Sequence, residues 1–140
     1  MYKRMIRVLG IQKDGQGQEN KIELTTEGKV YEKNNNIYIV YEESEISGME
    51  GATTTLKVEG DKKVSMKRFG SSDSQMVFEV GKRHSSEYKT MFGDFKMYIK
   101  THTLEVDLSL ESYKGSINVS YDVVIVGMAE TENTLEITVL

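Results

Sequence analysis

The sequence predicts an all-β fold, a single antiparallel meander closed into a lipocalin-like β-barrel. Three observations carry this. Apolar and polar residues alternate from end to end, so that residues two apart share a face. Turn signals recur at roughly 8–12-residue spacing. No window keeps a helical period. A meander of about eight or more strands removes its exposed edges most simply by closing on itself, with the terminal strands near each other. A sandwich is the alternative.

Each strand is justified in turn. Met5, Arg7, Leu9 and Ile11 oppose Arg4, Ile6, Val8 and Gly10, and both sets contain apolar residues. Lys13-Asp14-Gly15-Gln16-Gly17 turns the chain. Ile22, Leu24 and Thr26 then face away from Lys21, Glu23 and Thr25. Asn34-Asn35-Asn36 suits left-handed turn conformations. Ile37, Ile39, Tyr41, Glu43 and Glu45 share a face, against Tyr38, Val40, Glu42 and Ser44. Gly48 and Gly51 bracket a sharp reversal. Leu56 and Val58 turn one way, Thr53, Thr55 and Lys57 the other, and Glu59-Gly60-Asp61-Lys62 makes a hairpin turn.

Val64, Met66 and Arg68 share the next face, opposite Lys63, Ser65 and Lys67. Gly70-Ser71-Ser72-Asp73 is a turn. Met76, Phe78 and Val80 follow, then a reversal at Gly81-Lys82. His84, Ser86, Tyr88 and Thr90 line one face. Gly93-Asp94 leads into Phe95, Met97 and Ile99, followed by Leu104, Val106, Leu108 and Leu110. Ile117 through Ile125 forms a long alternating strand, and Leu135, Ile137 and Val139 close the chain.

At 140 residues the chain fits a single domain, residues 1–140, with a sizeable core. It has no cysteine, hence no disulfide framework, thiolate nucleophile or cysteine-based zinc site. A net charge of −4 gives no global basic footprint, and nucleic acid is not an expected partner. The opening MYKRMIRVLGI is too short and too charged for a signal peptide or a membrane span. The expectation is a cytoplasmic protein with no membrane partner.

The run YEESEISGMEGATTTLKVEGDKKVSMKRFG, followed by MVFEVGKRHSSEYKT and FGDFKMYIKT, resembles the YwiB-like bacterial β-barrel proteins. The likeness extends from the Ile6 strand to Leu135-Glu136-Ile137. The resemblance implies a lipocalin-like, calycin-type barrel. It carries over no catalytic residue, so the reading of sites rests on the residues themselves.

Arg68 is the anomaly: a guanidinium in line with Val64 and Met66. If it points inward an anion must meet it, because an unpaired buried charge costs several kcal/mol. Glu43 and Glu45 are the nearest candidates by strand order. The pair admits two readings, a structural ion pair near the barrel mouth, or an anchor for an acidic ligand through paired hydrogen bonds. Tyr41, His84 and Tyr88 would add polar tips to the same interior, against a plainer reading as half-buried packing. These five residues, Tyr41, Glu43, Arg68, His84 and Tyr88, form the candidate ligand site.

No catalytic residue is assigned. Glu42 and Glu43 fall on opposite faces of one strand, which argues against a working carboxylate pair. His84 and His102, the two histidines, have no metal-ligand spacing, and no metal or other cofactor is expected. Serines lack the G-x-S-x-G context. Binding of a small anionic or amphipathic molecule inside the barrel is the leading functional expectation. The alternative is an interaction or oligomeric module, with Ile6, Val8, Tyr38 and Val40 on an outer homo-oligomer face.

Overall fold

The computed structural model describes residues 1–44, 46, 50–70 and 73–140, and the backbone alone of Thr90 among them. Among the described residues ten strands form one sheet: β1 (Tyr2–Asp14), β2 (Glu19–Lys33), β3 (Asn36–Glu42), β4 (Ala52–Glu59), β5 (Lys63–Gly70), β6 (Ser74–Glu79), β7 (Arg83–Thr90), β8 (Gly93–Leu108), β9 (Gly115–Ile125) and β10 (Ala129–Val139). No α-helix forms among the described residues, and no helix is long and apolar enough to cross a membrane.

Every ladder is antiparallel, in the order β6-β5-β4-β3-β2-β1-β10-β9-β8-β7. The terminal strands pair, from Ile6 opposite Val139 to Asp14 opposite Thr131. The expected meander is therefore present, and its seam falls mid-chain, between β6 and β7. There the barrel is nearly closed. Isolated bridges join Asp73 to Lys89 and Val80 to Thr101. Side chains do the remaining work: Ser86 Oγ donates to the Gln75 carbonyl at 2.6 Å, and the Glu79 amide donates to Thr101 Oγ1 at 3.2 Å.

The turns follow their residues. Asn34 and Asn35 have φ of 53° and 66° between the paired Lys33 and Asn36. That is the two-residue loop whose twist matches the flanking strands. The part of the β3–β4 reversal at Gly48-Met49, together with Glu45 and Ser71-Ser72, lies outside the described residues.

Inside, the sheet is layered by register. Ile37, Val58, Val64 and Phe78 form one cross-strand row, and Val30, Ile39, Leu56, Met66 and Met76 the next. Apart from the half-buried Met76, these side chains are buried. On the facing wall Ile99, Ile117, Ile137 and Val139 complete the core. β8 changes the facing of its side chains at a bulge between Thr101 and Thr103. Met97, Ile99 and Thr101 are buried before it, whereas Leu104, Val106 and Leu108 are half-buried after it. The extra residue, His102, turns outward, its Nε2 lying 2.8 Å from Asp122 Oδ2.

The structure corrects one expectation for β1. Ile6 and Val8 are not on an outer face: they are 0% and 8% exposed and belong to the core. The cause lies on β2, where a Cβ at Gly28 would collide with Ile6 Cδ1. The Ile6 side chain fills the space that glycine leaves. Tyr38 and Val40 do face outward and are half-buried, with Tyr38 stacked on Tyr31 at 5.1 Å between ring centroids. The outer apolar face thus loses its β1 half. Val80 and Leu110, expected in alternating strand positions, are exposed and fall outside the strands.

Candidate ligand site

Above the two apolar rows the register brings a polar one: Gly28, Tyr41, Thr54, Arg68 and Ser74 lie side by side across β2 to β6. Alternation turns all five inward. Just past the end of β3, the Glu43 amide donates to the Ala52 carbonyl at 2.9 Å. This keeps the chain in strand-like pairing long enough for the Glu43 side chain to point inward as well.

Glu43 is the focus of the cluster. Its Oε1 accepts from Thr54 Oγ1 at 2.6 Å and from Arg68 Nε at 3.4 Å. The Glu43 side chain is 3% exposed and that of Arg68 15%. The charged pair is thus removed from bulk water, and the hydroxyl supplies the additional hydrogen bond that a buried carboxylate needs.

Two tyrosines flank the pair. Tyr41 is buried and its hydroxyl has no hydrogen-bond partner among the described residues. Burial first, and then the nearby Glu43 carboxylate, push its ionisation above the usual tyrosine range, with Arg68 and Thr54 pulling the other way. Tyr121, from β9 on the facing wall, is pushed up to about 12 by burial, with Arg68 opposing. Its ring packs on Phe78 at 4.6 Å between centroids.

This cluster forms one side of an interior cavity of about 410 Å³. Leu24, Met76, Met97 and Val123 supply apolar wall, and Glu43, Arg68, Tyr88 and Tyr121 supply polar groups. The cavity reaches the barrel end formed by the β1–β2 and β9–β10 turns, where Gln12, Asn20, Thr131, Asn133 and Met128 line it. Met128 is 61% exposed at that mouth, and Asn133 is held by Nδ2 bonds to Thr131 O and Oγ1 at 3.2 and 2.9 Å.

The five residues picked from the sequence are only partly brought together. Glu43, Arg68 and Tyr88 line the cavity, and Tyr41 lies in the same row as Arg68, without being part of the lining. His84 lies elsewhere: its Nε2 is 3.1 Å from Glu79 Oε1 at the β6–β7 seam, and it does not line the cavity. Thr54 and Tyr121 were missed. The signal for Thr54 was present, since it shares parity with Leu56 and Val58. Tyr121 could not be placed near Arg68 without knowing how the two halves of the barrel face each other. Glu42 is exposed and Glu43 buried, so adjacent carboxylates do not converge. Among the described residues no cluster of three potential metal-ligating His, Cys, Asp or Glu side chains occurs.

Comparison with known proteins agrees with this architecture. The chain is 33% identical over 107 residues to the uncharacterized beta-barrel protein YwiB of Bacillus subtilis (strain 168), covering 76% of this chain and 71% of that protein. The crystal structure of the ywiB protein from Bacillus subtilis superposes with a TM-score of 0.84 at 27% identity, over 98% of this chain and 89% of that one. The family model described as "Domain of unknown function (DUF1934)" matches residues 6–137, nearly the whole ten-strand meander, and the chain belongs to that family of bacterial β-barrel proteins.

Proposed function

We propose that the protein binds, without chemistry, a small anionic or amphipathic molecule inside its barrel. The observation that carries this reading is the cavity of about 410 Å³ with the Glu43–Arg68 pair in its wall. Ligand pockets usually measure roughly 300–1,000 Å³ and combine apolar walls with a few fixed polar groups. Barrels of about eight strands have interiors that side chains just fill or that hold one small ligand, and ten strands leave more room. Binding rather than catalysis fits the polar groups, because the carboxylate in the lining among the described residues, Glu43, is already committed to Thr54 and Arg68.

Native mass spectrometry of protein purified from its own host tests the reading. A retained mass that is lost on denaturation is expected, and Leu24→Trp, which fills the cavity, should abolish it. If the host-purified protein carries no ligand, and small amphiphiles leave the amide spectrum of the cavity residues unchanged, the interior is not a binding site.

A further inference from the structure

The charge balance of the wall narrows the ligand class, an inference that rests on reading the cavity as a ligand site. Among the described residues, Glu43 and Arg68 are the charged side chains of the lining, and they are paired with each other. The described part of the wall therefore has no formal net charge. The polar groups nearer the mouth, among them Gln12, Asn20 and Asn133, are uncharged.

An anionic head placed against Arg68 would lie beside a carboxylate whose side chain is 3% exposed. It must either tolerate the Glu43 charge at short range or displace Glu43 from the guanidinium. Displacement leaves Glu43 buried with Thr54 alone. Both outcomes strand or crowd charge in a site sheltered from water. A cationic head meets the same obstacle from Arg68. An uncharged hydroxyl or amide meets neither. It can donate toward the carboxylate and accept from the guanidinium while the pair stays together. We propose that the ligand is an uncharged amphipathic molecule, with a hydroxyl- or amide-bearing head at Glu43–Arg68 and an apolar body against Leu24, Met76, Met97 and Val123.

The test titrates ¹⁵N-labelled protein with 1-octanol and with octanoate, which share a chain length and differ in head charge. Octanol should shift the amides of Met76, Met97 and Val123 and bind about tenfold or more tightly than octanoate, a difference of about 1.4 kcal/mol. In Glu43→Gln the guanidinium loses its carboxylate, and octanoate should gain at least as much. Equal binding, a wild-type preference for octanoate, or an unchanged preference in Glu43→Gln overturns the uncharged-ligand inference and leaves the cavity reading standing. If neither molecule nor the uncharged dye Nile red perturbs the interior amides, the cavity reading falls and the inference with it. The wild-type comparison decides by itself should Glu43→Gln not fold.

Discussion

Thr54 and Arg68 are direct partners in the β4–β5 ladder, and both side chains end on the same oxygen, Glu43 Oε1. A hydroxyl and a guanidinium from neighbouring strands thus converge on a carboxylate that lies beyond the end of a third. The arrangement holds the β3–β4–β5 corner at the barrel mouth through side chains as well as ladder bonds.

Removing Arg68 should therefore be costly in a particular way. Arg68→Ala leaves the Glu43 carboxylate buried with Thr54 alone, and a loss of about 3–5 kcal/mol is expected. The double variant Arg68→Met with Glu43→Gln removes both charges and should recover much of that loss. Urea melts of the two singles and the double measure the coupling. Arg68→Ala melting within about 0.5 kcal/mol of wild type would show that Arg68 is hydrated and the pair contributes nothing.

Gly28 and Ile6 give a second test. A Cβ at position 28 would meet Ile6 Cδ1 and would lie 2.6 Å from the Val40 carbonyl oxygen. Gly28→Ala should destabilise the protein by about 1–3 kcal/mol, as overpacking does. Ile6→Val in the same chain should relieve only the side-chain part, because the carbonyl belongs to the backbone. Full recovery in the double variant would mean that the backbone contact yields freely.

These two sites also show what the sequence could and could not reveal. The facing of β4 and β5 was readable, because on each strand one parity carries the large apolar residues, whereas on β3 Tyr38 and Val40 stand opposite Ile37, Ile39 and Tyr41. With it came Glu43 and Glu45 as candidate partners for Arg68, of which Glu43 is seen in the pair and Glu45 lies outside the described residues. On β1 both parities carry apolar residues, so alternation is silent. The decisive feature is a missing side chain at Gly28 on the neighbouring strand, which only the register reveals. In β8 the apolar residues change parity between Ile99 and Leu104, so some irregularity was implied, but not that His102 is the extra residue. The fate of His84 was beyond reach. Its parity is right for an interior residue, but it sits where the meander fails to close, and the position of that seam depends on how the whole sheet curls.

The seam predicts a dependence on pH. His84, 3.1 Å from Glu79, is the main cause holding the Glu79 carboxyl below its usual range; desolvation opposes this, and Lys82 and Lys63 reinforce it. A carboxylate with a depressed folded-state value contributes stability above its unfolded value, about 4.3 for a glutamate. That contribution is lost as pH falls through the lower folded value. In His84→Ala the Glu79 titration, followed by ¹³C carboxylate shifts, should move up toward the ordinary value. Amide exchange at the β6–β7 seam should then accelerate at a higher pH than in wild type. An unmoved Glu79 titration would mean that Lys82 and Lys63 suffice and that His84 is incidental.

Tyr41 offers the sharpest test of how well the cluster is satisfied. Its hydroxyl is buried and without a partner among the described residues, although Thr54 and Arg68 are close enough to influence its ionisation. Both neighbours are already directed at Glu43. With its ionisation pushed above the usual range, the group remains an uncharged O–H wherever the protein is folded. A buried donor that finds no acceptor costs about 1–3 kcal/mol. Tyr41→Phe keeps the ring and removes the donor, so it should stabilise the protein by about 1 kcal/mol and raise the Tm by a few degrees. A fall of similar size would show that the hydroxyl is bonded in solution, through a bridging water or a shift of Thr54, and that Tyr41 belongs to the network on Glu43. Combining Tyr41→Phe with Thr54→Val separates those two cases. If Thr54 is the partner, the two losses will not add, because removing either residue breaks the same bond.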